Sequence, residues 1–221
     1  MEFVKTADGS KTLYHEQVGE HYHSIHGAQQ ESVHVFLNTG LRYWLEKEDS
    51  QSGSVLEVGF GTGLNFLLTA EYCTENHINL DYIGVEAYPL DKELVVQSEY
   101  NQFISRDIWN EFIAKYISAL KSKITLNPYI HLEIMHQKIM AFQNQKKFDV
   151  IYFDAFAEIH QPEMWSSETL EHVSRLLKPG GVFVTYAITG NLKRRMKALG
   201  FSIEKAPGAP GKREMLRATK L

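Results

Sequence analysis

The stretch Ser54–Phe66, S-V-L-E-V-G-F-G-T-G-L-N-F, constrains this chain more than any other. A short apolar, β-branched run (Val55, Leu56, Val58) is interrupted by Glu57 and leads into glycines at alternate positions, Gly59, Gly61 and Gly63. Apolar residues then return at helical spacing in Leu64, Leu67 and Leu68. The pattern predicts a strand, a tight turn and a helix N-terminus. Glycine in such a turn permits φ > 0 and lets a ligand approach the backbone closely. The helix N-terminus adds N–H groups that favour anionic or carboxylate-bearing ligands. A nucleotide-like cofactor is the expected occupant.

Spacing narrows the choice of nucleotide. A dinucleotide fold asks for G-x-G-x-x-G, whose third glycine would fall at position 64, which is Leu64. No Lys followed by Ser or Thr closes the loop, which excludes a triphosphate-cradling P-loop. The observed E-x-G-x-G-x-G resembles motif I of the class I S-adenosylmethionine-dependent methyltransferases. A second strand-like run, Leu80–Glu86 (L-D-Y-I-G-V-E), ends in an acid. Glu86 follows the glycines at the distance at which the next strand of a βαβ unit presents a carboxylate to a ribose diol.

Composition sets the frame. With 221 residues, 43% of them hydrophobic, one domain with a full core is expected. No apolar run is long enough to cross a bilayer, and the N-terminal M-E-F-V-K-T-A-D-G lacks a signal-peptide core. The single Cys73 has no partner for an internal disulfide, so a core or half-buried thiol in a reducing, cytoplasmic setting is expected. Net charge is −4, but unevenly spread: residues 188–221 hold nine basic and two acidic residues, and the remainder 14 basic and 25 acidic. Such asymmetry suggests an electrostatic footprint for nucleic acid or another anion, against a solvated helix face and basic tail as the plainer reading.

Strand-like and helical runs alternate to the end, the mark of a mostly parallel sheet. Helical stretches are expected from Pro89 to about Tyr100, from Ile108 to Leu120 and from about Ser166 to Leu177. Strands are expected at Tyr129–Met135, Phe148–Phe153 and Val182–Ala187. Gly190 opens a basic helix, and Phe201–Lys205 and Glu214–Ala218 form a closing antiparallel pair around P-G-A-P-G. The first forty residues break the alternation and carry five histidines: His15, His21, His23, His26 and His34. H-Y-H-S-I-H has spacing that can ligate a metal, but no Cys or acid pair completes a tetrahedral set. No metal is therefore assigned, and residues 1–40 are expected to pack as a lid or extra hairpin over the domain formed by 41–221.

In open α/β sheets the ligand sits at the carboxyl ends of the strands. Asp154, ending F-D-V-I-Y-F-D, should therefore face the same crevice as Gly59 and Glu86. An acid there can take a proton from, or orient, an amine that attacks an activated methyl group, or merely cap the next helix. Phe156 and Trp165 follow closely and suit the stacking of a flat base.

D-A-F-A-E-I-H-Q-P-E-M-W resembles the corresponding segment of the MnmC-type tRNA aminomethyl-uridine methyltransferases. L-K-P-G-G-V-F-V-T-Y, G-N-L-K-R-R-M-K-A-L-G-F, P-G-K-R-E-M-L and the early E-H-Y-H-S-I-H-G-A-Q-Q-E-S-V-H-V-F-L resemble further motifs of that family, covering nearly the whole chain. The resemblance implies a Rossmann-like class I α/β fold with a seven-stranded, mostly parallel sheet, helices on both faces and an N-terminal extension. It implies methyl transfer from S-adenosyl-L-methionine to the exocyclic amine of 5-aminomethyl-(2-thio)uridine at the tRNA wobble position. Asp154 becomes the catalytic acid beside the amine. Glu57, Gly59, Phe60, Gly61, Gly63, Asn65 and Glu86 go to the cofactor, and Phe156, Trp165, Lys193, Arg194, Lys212 and Arg213 to the tRNA anticodon stem-loop. Glu158 and His160 stand where members carry Pro and Lys, and Gln137 or Lys138 replaces an acid near the adenine, leaving Ile139 or Met140 to hold it. Ending at Leu221, the chain resembles the stand-alone methyltransferase form, with a separate oxidase or modification enzyme supplying the amine. A spermidine-synthase-type aminopropyl transferase and a non-catalytic cofactor- or tRNA-binding module are the competing expectations.

Overall fold

The computed structural model describes residues 1–221. Five strands form the parallel heart of the sheet: β4 (Ser52–Val58), β5 (Asn79–Glu86), β7 (Ile130–His136), β8 (Phe148–Phe153) and β9 (Leu177–Thr185). β11 (Glu214–Lys220) lies antiparallel between β9 and β10 (Phe201–Pro207), giving the expected closing pair. An eighth strand, β6 (Ile124–Asn127), joins β7 as an antiparallel hairpin at the far edge, so the order is β10-β11-β9-β8-β4-β5-β7-β6. The seven-stranded mostly parallel sheet thus gains one short edge strand, formed where the sequence shows only an Asn127-Pro128 break.

Helices cover both faces, as a parallel sheet requires. α3 (Leu64–Glu75) and α5 (Arg106–Ala119) pack on one side, with the short α4 (Lys92–Gln97) beside α5; α6 (Ser167–Arg175) and α7 (Gly190–Ala198) pack on the other. Every residue of β8 is buried, and its side chains alternate between the two cores: Val150 and Tyr152 face one, Ile151 and Phe153 the other. Each such apolar side chain contributes about 1.5–3 kcal/mol by leaving water. Cys73 lies fully buried in α3, where desolvation pushes its thiol up to about 12.

The N-terminal segment first builds a small antiparallel sheet, β1 (Glu2–Lys5), β2 (Lys11–His15) and β3 (Glu20–His21). It then enters a helix whose ends, α1 (Ala28–Ser32) and α2 (Tyr43–Glu48), are joined by π-helical turns over Val33–Arg42. This helix packs on the main sheet through Val35, Phe36 and Leu41, and it runs straight through a division drawn at residues 40 and 41. No helix is long and apolar enough to cross a membrane.

The chain leaves β4 toward β5 and β7 on one side and later returns through β8 on the other. β4 and β8 are therefore neighbours whose onward connections diverge, which opens a crevice at their carboxyl ends. Gly59 and Asp154 are the residues that follow those two strands.

Candidate active site

A cavity of about 840 Å³ opens at this crevice, a size suited to a small-molecule ligand. One half is walled by the strand-end loops. Gly59, Gly61 and Gly63 all have positive φ (90°, 52° and 81°). A Cβ on Gly59 would lie 2.3 Å from the Asp154 carbonyl oxygen, and one on Gly61 2.8 Å from the Tyr22 ring, so side chains are excluded at both points. Glu86 is clamped in place: the Gly61 N–H donates to its Oε2 (3.0 Å) and the Tyr88 N–H to its Oε1 (2.9 Å). Each oxygen keeps a lone pair for a further donor, which a ribose diol would supply. Ile139 and Met140 add apolar wall nearby. These groups fit a nucleoside-bearing cofactor.

The other half centres on Asp154. Its side chain is 9% exposed; Oδ2 accepts from Asn65 Nδ2 (2.7 Å), and Oδ1 accepts from no protein group. The same Asn65 nitrogen donates to Glu57 Oε1 (2.8 Å), while the Tyr82 hydroxyl donates to Glu57 Oε2 (2.8 Å). Burial, with the neighbouring Glu31 carboxylate next, pushes Asp154 up to about 8. Glu57 is raised well above the usual carboxylate range by burial and by Asp154. His23 Nδ1 lies 4.0 Å from Asp154 Oδ2, and burial pushes its imidazole down to about 4, so it faces Asp154 uncharged near neutral pH. No group of three or more His, Cys, Asp or Glu side chains is placed to hold a metal ion.

The site residues expected from sequence divide accordingly. Gly59, Phe60, Gly61, Glu86, Ile139, Asp154, Phe156 and Lys212 line the cavity. Phe60 does so without offering its ring, which packs into the core against Gly84, Phe66 and Phe112. Glu57, Gly63 and Asn65 lie behind the wall, where Glu57 and Asn65 brace Asp154 and Gly63 starts α3. Trp165 departs from its expected role as a stacking platform. It is 2% exposed, its Nε1–H donates to the Phe156 carbonyl (2.8 Å), and its ring packs against Phe153, so it shapes the loop after Asp154 from beneath. Lys212 also departs from the expected phosphate contact: its ammonium meets buried Glu31 at 2.7 Å and sits 4.0 Å from the centre of the Tyr186 ring. Arg194 and Arg213 are exposed and Lys193 half-buried, outside the cavity.

Most of the second half is not legible in the sequence. Glu20, Tyr22, His23, Glu31 and Tyr186 all line the cavity. Glu20 Oε2 accepts from the Ala157 N–H (2.8 Å), tying β3 to the loop after Asp154. Tyr22 and Phe156 meet edge to face at 5.1 Å. The signal for these residues in the sequence is membership of two motifs, E-H-Y-H-S-I-H-G-A-Q-Q-E-S-V-H-V-F-L and L-K-P-G-G-V-F-V-T-Y, neither of which marks the individual residues.

Comparison with known proteins converges on one family. Residues 102–221 match the model of a family described as S-adenosyl-L-methionine-dependent methyltransferase. A relative from Magnetococcus marinus, named tRNA 5-methylaminomethyl-2-thiouridine biosynthesis bifunctional protein MnmC, is 34% identical over 209 residues, covering 89% of this chain and 30% of that protein. Its namesake from Leptospira interrogans (serovar copenhageni) is 31% identical over 212 residues, covering 91% and 32%. The chain thus spans about a third of the length of these relatives. Among solved structures, MnmC2 from Aquifex aeolicus superposes with a TM-score of 0.78 at 24% identity, covering 99% of this chain and 70% of that one, so the two share a fold.

Proposed function

The chain belongs to the S-adenosyl-L-methionine-dependent methyltransferase family, and on that premise we propose that it methylates the exocyclic amine of 5-aminomethyl-(2-thio)uridine at the tRNA wobble position. One observation carries the reading: a buried carboxylate, Asp154, opens into the same cavity as the glycine loop and Glu86. The names of the MnmC relatives support the choice of substrate. Nothing in these comparisons favours an aminopropyl transferase or a non-catalytic module.

The backbone of Gly59 and Gly61, the carboxylate of Glu86 and the apolar wall at Ile139 would hold the cofactor. S-adenosyl-L-methionine supplies a methyl group on a positively charged sulfur, already electrophilic, so the protein's main tasks are positioning and proton removal. An alkylamine enters largely as its ammonium near neutral pH. The ionised form of Asp154 accepts a proton from that nitrogen, freeing the lone pair for attack. Its raised pKa, set first by burial, makes it a stronger base than an exposed aspartate. Asn65 fixes Oδ2 and so aims Oδ1, and Glu57 with Tyr82 fixes Asn65. Phe156, at the cavity wall, offers a face to the pyrimidine. The exposed Arg194 and Arg213, with Lys193, would contact phosphates around the anticodon stem-loop. A separate oxidase or modification enzyme would supply the aminomethyl group, and a tRNA substrate would place the reaction in the cytoplasm.

The test is nucleoside mass spectrometry after incubation with S-adenosyl-L-methionine and two tRNAs differing only in the aminomethyl group at the wobble uridine. Methylation confined to the aminomethyl tRNA is expected; methylation of neither, with the cofactor bound, would contradict the reading.

A further inference from the structure

The position of Lys212 is unexplained by cofactor binding or by proton transfer. The residue lies in the loop between β10 and β11, yet its ammonium is turned inward onto Glu31, over the face of Tyr186 and into the cavity that holds Asp154. Glu31 is 5% exposed, belongs to α1, and is fixed on its other side by the Ser24 N–H, which donates to Oε2 at 2.7 Å. Lys212 is 36% exposed at its side chain and rides on four rotatable bonds. The anion is therefore fixed and the cation movable. A carboxylate buried this deeply needs a cationic partner, and a ring face beneath that partner favours an alkylammonium.

We propose that Glu31 is a specificity-determining residue, forming with the Tyr186 ring the seat for the substrate's alkylammonium, and that Lys212 occupies this seat until the substrate displaces it. The inference rests on the reading that the substrate bears a primary amine. Displaced Lys212 swings to the solvent-facing side of its loop, beside exposed Arg213, where the phosphates of a bound RNA would receive it. A neutral base cannot replace the lysine on Glu31, so an unmodified uridine leaves the pair closed. Selection for the amine then precedes chemistry and is separate from proton acceptance by Asp154.

The two partners of an ordinary stabilising ion pair should behave alike when either is removed, whereas this assignment gives them opposite signs. The experiment measures the affinity of the full chain, saturated with S-adenosylhomocysteine, for two anticodon stem-loops carrying either 5-aminomethyluridine or uridine at the wobble position. The quantity read is the ratio of the two dissociation constants, which cancels phosphate contacts common to both. Glu31→Gln is expected to lower the preference for the amine by roughly 10-fold or more, the loss of a hydrogen bond to a charged group. Lys212→Met is expected to hold or raise that preference while weakening both complexes, and Glu31→Asp to recover part of it. A ratio unchanged in Glu31→Gln, or lowered alike in Glu31→Gln and Lys212→Met, overturns the proposal. Retention of S-adenosylhomocysteine binding by Glu31→Gln excludes misfolding as the cause. No preference for the amine in the unsubstituted protein would instead overturn the substrate reading itself.

Discussion

The two halves of the cavity are built in opposite ways. The half proposed for the cofactor comes from the ends of three neighbouring strands, β4, β5 and β7, and its groups are backbone amides, one carboxylate they clamp and a short apolar wall. The half proposed for the substrate gathers single side chains from places far apart in sequence: Glu20 and Glu31 near the start, Asp154 in the middle, Tyr186 and Lys212 toward the end. Backbone recognition tolerates variation in side chains but not in φ; side-chain recognition behaves the other way round. On the proposed reading, one protein thus couples a generic cofactor cradle to a specific substrate wall.

The largest effects that would break this contrast fall on the cradle. Gly59→Ala combines a positive φ with a 2.3 Å approach to the Asp154 carbonyl, so it should cost on the order of 1–3 kcal/mol of backbone strain and abolish cofactor binding by calorimetry. Unchanged binding would show that the loop rearranges freely. Next, Glu86→Gln should weaken cofactor affinity roughly 10-fold through loss of charge-assisted hydrogen bonds, with RNA affinity unaltered. A matching loss of RNA affinity would mean that the two halves are not separable.

Asp154 tests the other half through pH. Its folded pKa lies above that of an ordinary aspartate, so the native state holds the proton more tightly. The stability conferred is complete below about pH 4 and lost as pH rises through about 8. Asp154→Asn escapes that loss, so its melting temperature should exceed that of the unsubstituted protein by a wider margin at pH 8 than at pH 4.5. The scale is roughly 2–4 °C per kcal/mol recovered. An equal margin at both pH values would remove burial as the cause. The smallest expected effect lies outside the cavity: Lys193→Ala/Arg194→Ala should weaken tRNA binding modestly and flatten its salt dependence by about two phosphate contacts. An unchanged salt slope would take these residues out of the footprint.

The same contrast explains how much could be read from sequence. Val55–Val58, the glycine turn, Glu86 and Phe148–Asp154 are legible because each element's signal is contiguous and its position follows from sheet topology. The helix over residues 28–48 is not, because its π-helical turns at Val33–Arg42 break the 3.6-residue period on which recognition depends. β6 is not legible because its four residues, ending at Asn127 just before Pro128, read as a helix stop rather than as an edge strand. Trp165 misleads in another way: proximity to Asp154 in sequence suggests a stacking face, but its indole nitrogen is committed to the Phe156 carbonyl. Lys212 reads as one of several basic residues in a tail, and only the fold brings it to Glu31, 181 positions away.

On the proposed reading, holding the cofactor and activating the amine are separate tasks performed by separate walls of one cavity. Asp154→Ala, measured for both, tests this separation most directly. S-adenosyl-L-methionine affinity is expected to stay within about 3-fold of the unsubstituted protein, with transfer to aminomethyl tRNA lowered roughly 100- to 10,000-fold. Parallel loss of both, or transfer that survives the substitution, would contradict it.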